Sequence, residues 1–357
     1  MPYYERTVHG GFFLLNTYWF LSIMRLYALL LLAINTCLAL AATRTSPPAG
    51  ALVVSKSAKI GQYSSIQAAV NALSTSSTAA QSIFIEAGTY TEQVYIPARK
   101  AALTIYGYTT NTDSYSANTV TITQSLSISS AGNDDKSATV RAWSTDFKMY
   151  NINVVNGHGK GEQALALSAS AGNQGYYACQ FQGYQDTVLS ETGNQIFGKS
   201  LIVGSVDFIF GQSANAWFDQ CDIRVLATTY GTITASGRDS SSSSSWYVIN
   251  KSTVAAYAGN TVTAGAYYLG RPWEPYARVV FQETSLSDVI NAAGWHTWSD
   301  SEPNTSNVVL EEYANTGAGA SGTRASFSKK ISSPITIATV LGSTWASGVY
   351  VDEAYLS

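Results

Sequence analysis

The feature that most constrains this chain is a recurrence of short β-branched runs, separated by Gly and Asn, at intervals in the twenties. One apolar position from each run gives Ile83, Ile105, Ile128, Ile152, Phe181, Ile202, Ile223 and Ile249, at intervals of 22, 23, 24, 29, 21, 21 and 26. A near-constant period of that size marks a solenoid, in which each repeat is too small to bury a core alone and must stack on the next. Leucine-rich repeats share the period, but their Leu-x-x-Leu-x-Leu pattern and their helix per repeat are absent. The spacing therefore predicts an all-β fold, a single-stranded right-handed parallel β-helix whose coils lie about 4.8 Å apart. One segment has helical periodicity: Ser64 to Leu73, with a Ser cap and apolar Ile66, Ala69, Val70 and Leu73. It is expected to cap the open N-terminal end of the coil, where unpaired strand edges would otherwise meet solvent.

Residues 24 to 41 carry a charged start at Arg25, a Leu/Ala-rich stretch and an Ala-x-Ala end at Ala39 and Ala41, the pattern of a secretory signal peptide. The aromatic residues before it do not resemble a charged leader, so Met24 is the expected true start. A membrane anchor over Phe12 to Ala41 is the rival reading, but Asn16, Arg25 and Asn35 interrupt it. Residues 42 to 59, with Pro47 and Pro48, read as a linker, and 60 to 357 as one domain with no further boundary. The six serines Ser240 to Ser245 read as a mobile surface loop, because the strand pattern resumes at Trp246.

Charged residues make up 12% of the chain and the net charge is −3, so there is no basic footprint for nucleic acid. Removing residues 1 to 41 takes away Arg6, Arg25 and Glu5, leaving 18 basic against 22 acidic side chains and a charge of −4. Cys179 and Cys221 are separated by two of the shortest intervals, that is, by two coils. In register they would be about 9–10 Å apart, beyond disulfide reach, and are expected as reduced core residues. Asn250-Lys-Ser and Asn304-Thr-Ser are candidate N-glycosylation sequons.

The same period, applied to polar residues, brings chemistry together. Gln163, Gln185 with its neighbour Asp186, and Asp207 follow one another at single-coil intervals, so they stack on successive coils of one face. Two carboxylates on adjacent coils have their pKa values pushed apart, leaving one as an acid and the other as a nucleophile or base. Asp beside Gly is ordinarily a turn former. Asp207, however, is set inside the apolar run Val206 to Phe210.

The segments Gly183-Tyr-Gln-Asp-Thr187, Val206-Asp-Phe-Ile-Phe-Gly211 and Leu269-Gly-Arg-Pro-Trp273 resemble the three signatures of the pectin methylesterases. Gly88-Thr-Tyr-Thr-Glu92 and Gln163-Ala-Leu-Ala-Leu167 resemble two further segments of that family, and the likeness runs in the family's order from about Ile60 to Trp298. The resemblance implies a secreted, extracellular, monomeric β-helix esterase that removes the C6 methyl esters of homogalacturonan, with no metal or cofactor. It assigns Asp207 as nucleophile, Asp186 as acid and base, Gln163 and Gln185 as oxyanion donors, and Arg271 as the group that orients Asp207. Arg271, Trp273 and Trp295 would contact the substrate. Two places depart from the plant pattern, Gln212-Ser213 for Asn-Ala and Ser236 for Gln, and neither touches the five catalytic positions. The absence of an inhibitory pro-region after the signal looks fungal.

Other readings are weaker. Gly193-Asn-Gln-Ile-Phe-Gly-Lys-Ser200 matches a phosphate loop in letters, but β-branched residues follow where a helix is needed. There is no Gly-x-Ser-x-Gly elbow, and His158 and His296 alone could serve a serine nucleophile after residue 41. Two rivals keep the fold: a paired-Asp glycosidase acting on pectin, and a non-catalytic pectin-binding β-helix.

Overall fold

The computed structural model describes residues 1–4 and 42–357; the signal peptide expected over residues 24–41 and the expected Met24 start lie outside the described residues. Three parallel sheets of eleven, seven and eight strands form the faces of a β-helix. One coil runs Gln174–Tyr177, Gln180–Gln182 and Val188–Ser190, a short strand in each sheet, and the next coil begins at Thr192.

Register explains the period. Gln174 pairs with Gln195 and Gln195 with Ala216, while Phe181 pairs with Ile202 and Ile202 with Ile223, the same sequence step in every case. Farther on the coils lengthen: Phe218 pairs with Ile249, Ile223 with Val254 and Ile249 with Phe281, each step about half as long again. The apolar series read from the sequence therefore crosses faces. Ile83, Ile105 and Ile249 lie in the eleven-stranded sheet, and Phe181, Ile202 and Ile223 in the eight-stranded one. Ile128 is no strand residue at all, but opens the short helix Ile128–Ala131.

The core is the stacked interior. Tyr176, Phe197 and Phe218 lie face to face on consecutive coils, with ring centroids 4.9 and 4.5 Å apart. At the corner between the eleven- and eight-stranded sheets, Ala178, Lys199, Gln220, Lys251 and Glu283 all have φ between 45° and 52°. This left-handed step turns the chain sharply, and the next residue inward is Cys179, Ser200, Cys221, Ser252 or Thr284. Hydroxyl groups on successive coils knit this corner together: Cys179 N–H donates to Ser200 Oγ at 3.1 Å, Cys221 N–H to Ser252 Oγ at 3.0 Å and Ser252 N–H to Thr284 Oγ1 at 3.3 Å. Both cysteines are free and buried, as the two-coil spacing requires.

The helix Ile66–Ala72 forms at the expected place, with Ser65 Oγ accepting from Ala68 N–H and Ile66, Ala69 and Val70 buried. Glu92, from the Gly88-to-Glu92 segment, completes the cap by accepting from Ile66 and Gln67 N–H, both at 2.9 Å. A carboxylate there meets both the unpaired amides and the positive end of the helix dipole.

Several expectations are corrected. The 42–59 segment is part of the fold rather than a linker: Leu52–Val54 is the first strand, in register with Ile83–Ile85. The Ser240–Ser245 loop is pinned and not free. Arg238 donates to the carbonyls of Ser241 and Ser243, and Arg278 to those of Ser243, Ser244 and Ser245, at 2.7–3.2 Å. The phosphate-loop match is a strand, Thr192–Gly198, followed by another at Leu201. Asn250, a candidate glycosylation site, is 4% exposed and donates to Asp219 Oδ1 at 3.1 Å while accepting from Gln282 at 2.7 Å. Its amide is a buried structural partner with no room for a glycan.

Glu92→Ala should lower stability by about 1–2 kcal/mol, the usual size of a lost helix cap. Glu92→Gln should lose less, as judged by the thermal midpoint.

Candidate active site

The site forms on the outer face of the seven-stranded sheet. Just ahead of its strands, Gln163 bridges Gln185 and Gln185 bridges Val206, all in parallel. Those bridges place Asp186 and Asp207 on successive coils, as the single-coil spacing predicts. Both aspartates have left-handed backbone, with φ of 59° and 49°. Asp tolerates that region better than most side chains, and such conformations persist where surrounding structure holds them. At Asp207 the register also shifts between Val206 and Ile209. With this irregularity the inward/outward alternation breaks between Phe208 and Ile209, both buried in the core, while the Asp207 carboxylate lines the cleft.

Gln163, Gln185, Asp186, Asp207, Arg271 and Trp273 all line one cleft, together with Asp134, Phe210, Ala235 and Trp298. Arg271 holds Asp207 in a two-pronged grip, with Nε to Oδ1 at 3.0 Å and Nη2 to Oδ2 at 2.5 Å. Thr232 Oγ1 donates to Asp207 Oδ1 at 2.6 Å and accepts from Asp207 N–H at 3.1 Å. Asp207 is thus fixed in rotation by charge-assisted and hydroxyl hydrogen bonds. Asp186 is 8% exposed, and its carboxyl finds no such partners among the described residues. Burial, then the nearby Asp207 and Asp134 charges, push its pKa well above the ordinary carboxylate range, against the opposing pull of Arg271. Burial works against the Arg271 charge, but the hydrogen bonds and charge of Asp207 outweigh it and raise that pKa. The two carboxyls therefore differ by their surroundings: Asp207 accepts from a guanidinium and a hydroxyl, while Asp186 has burial and neighbouring carboxylates that disfavour its charged form. The side-chain amides of Gln163 and Gln185 are free of protein partners among the described residues, leaving N–H donors available to a ligand.

Local sequence explains how Arg271 and Trp273 arrive. Arg271 is on Tyr267–Pro272, the edge strand, where Pro272 interrupts no inner ladder. A Cβ at Gly270 would stand 2.0 Å from Thr234 Oγ1, so only glycine allows that strand to close on its neighbour. Trp273 packs over Gly237, where a Cβ would lie 2.7 Å from its ring, and its carbonyl accepts from Asn304 Nδ2 at 2.9 Å.

Trp295 is a correction. It is 1% exposed and packs edge-on against Phe281 at 5.9 Å, inside the coil. The cleft tryptophan besides Trp273 is Trp298, whose ring lies under the Arg271 guanidinium at 4.2 Å and whose carbonyl accepts from Arg271 Nη1 at 3.2 Å. Thr232, Asp134 and Trp298 were not singled out from sequence. Thr232 falls where the coil after Asp207 has already lengthened, so the period does not point to it.

A model of the pectinesterase family matches residues 51–334. The chain belongs to the pectinesterase family. It is 55% identical over 321 residues to a pectinesterase of Aspergillus niger and 56% identical over 320 residues to one of Aspergillus aculeatus. Each alignment covers 89% of this chain and 96% of the relative. The crystal structure of an Aspergillus niger pectin methylesterase superposes with a TM-score of 0.81 at 44% identity, covering 88% of this chain and all of that one. The carrot enzyme gives 0.76 at 30%, covering 86% and 98%. The fold is the right-handed parallel β-helix of these enzymes, and this pectinesterase is a carboxylic ester hydrolase. A non-catalytic wall-binding module and a glycosidase are not what its relatives are.

The two tryptophans should separate experimentally. Trp295→Ala should cost about 3 kcal/mol or more of stability, as for a large buried aromatic. Trp298→Ala should leave the thermal midpoint nearly unchanged and lower kcat/KM for pectin.

Proposed function

We propose that this pectinesterase is exported and hydrolyses the C6 methyl esters of homogalacturonan, giving de-esterified pectin and methanol. The observation that carries the residue roles is the unequal pair of carboxyls: Asp207 gripped by Arg271 and Thr232, and Asp186 buried and unpaired beside it.

In the proposed sequence, an Asp207 oxygen attacks the ester carbonyl carbon. Negative charge builds on the carbonyl oxygen, where the Gln163 and Gln185 amides donate, a contribution on the order of 2–4 kcal/mol per well-aligned donor. The tetrahedral species collapses, the C–O bond to the methoxy group breaks, and methanol leaves with the Asp186 proton. Asp186, now ionised, takes a proton from water as that water attacks the acyl–Asp207 anhydride. The products are a galacturonate carboxylic acid, a free Asp207 carboxylate and a reprotonated Asp186. Arg271 positions Asp207 throughout, and a Lys there offers one point charge instead of a planar fork. Trp273, Phe210 and Trp298 give the cleft its apolar wall. Export follows from the 1–41 signal pattern, and Asn304 remains the glycosylation candidate. With a charge of −4 after signal removal, binding of an anionic polymer rests on local contacts rather than long-range attraction.

The test is methanol release from highly methylated pectin by the chain lacking residues 1–41, with viscosity followed in parallel. Release at constant viscosity, abolished by Asp207→Ala, is the expected result. A falling viscosity would indicate backbone cleavage, and no release from folded protein would defeat the assignment.

Asp186 makes a prediction with a definite sign. Its pKa is raised in the fold, so its contribution to stability is fully present below the unfolded carboxyl pKa and is lost as pH rises through the folded value. Asp186→Asn should abolish turnover yet raise the thermal midpoint over wild type, by a margin that grows with pH across that window.

A further inference from the structure

Asp134 lines the cleft with Gln163, Gln185 and Asp186, yet the proposed ester chemistry gives it no part. It opens the short helix Asp134–Ser137 beside Asp135. The two neighbours differ sharply. Asp135 accepts from Arg141 Nε and Nη2, Trp143 Nε1 and Ser168 Oγ at 3.0, 2.5, 2.9 and 2.8 Å. Asp134 Oδ1 is buried with no hydrogen-bond partner, and no cation pairs with Asp134 among the described residues. The one guanidinium lining the cleft, Arg271, is already committed to Asp207. Three carboxyls therefore face the cleft against a single cation.

A half-buried carboxylate without a partner is a standing cost to the fold, and it acts on whatever enters. On the reading given above, what enters is a polymer whose units carry either a neutral methyl ester or a carboxylate. An esterified unit beside Asp134 meets no charge penalty. A free uronate meets like-charge repulsion in a partly desolvated cleft, where charges interact more strongly than in water.

We propose that Asp134 is a specificity-determining residue that disfavours a free carboxylate on the sugar unit next to the one being de-esterified. This rests on the assignment of pectin ester hydrolysis.

The test compares kcat/KM for methanol release at pH 7 on a fully methyl-esterified oligogalacturonide and on one of equal length that is half esterified. The wild type should favour the first. Asp134→Asn and Asp134→Ser should each shrink that preference about fivefold or more. Raising NaCl to about 0.5 M should shrink it in the wild type but not in the variants. A preference unchanged within twofold in both variants, with thermal midpoints showing them folded, would overturn the proposal. Equal loss on both oligomers would assign Asp134 a structural role and overturn it as well. No methanol from wild type on either oligomer would instead remove the underlying reading, and the proposal with it.

Discussion

Everything in this molecule depends on parallel register between successive coils. A parallel ladder allows no slippage once one face is buried, because a one-residue shift would turn every core side chain outward. The face-to-face rings of Tyr176, Phe197 and Phe218 and the hydroxyl contacts at the corner lock that register in the middle of the solenoid. The same lock sets Gln185 on Gln163 and Val206 on Gln185, and so brings two aspartates onto adjacent rungs. Repetition that would otherwise produce only a core produces an active site where the inward and outward alternation is broken.

That break is local and strained. Left-handed backbone at Asp186 and Asp207, together with the shifted register after Val206, turns two acidic side chains onto a sheet face otherwise lined by Leu165, Leu189 and Phe210. The electrostatics then differ by neighbour and not by residue type. Asp207 receives a guanidinium and a hydroxyl; Asp186 receives burial and repulsion. Family membership identifies the enzyme, and this asymmetry explains how two like residues can take unlike parts.

Much of this was legible in the residues alone, for a physical reason. A coil of constant length converts spacing in sequence into adjacency in space, so Gln163, Gln185, Asp186 and Asp207 could be aligned by counting, and Cys179 and Cys221 kept apart by it. Counting failed wherever coils lengthened. Thr232 lies one lengthened coil beyond Asp207, and Arg271 a still longer one beyond its ladder partner Ala235, so only register shows them as neighbours of the site. Arg271 was found through the Gly-Arg-Pro-Trp resemblance and not through the period.

The sequence by itself determined the architecture, the capping helix and the polar rungs, because these follow from periodicity and local chain preference. Tertiary structure decided which tryptophan faces the cleft, which asparagine is buried, and what surrounds each carboxyl. Trp295 and Trp298 sit close together in an irregular segment with no alternation to assign them, and only packing against Phe281 or Arg271 separates them. Asn250 satisfies a sequon in letters but is taken up by Asp219 and Gln282, each a full coil away along the chain. Burial and charge partnership are properties of neighbours in space, and where coil length varies the chain order does not carry them.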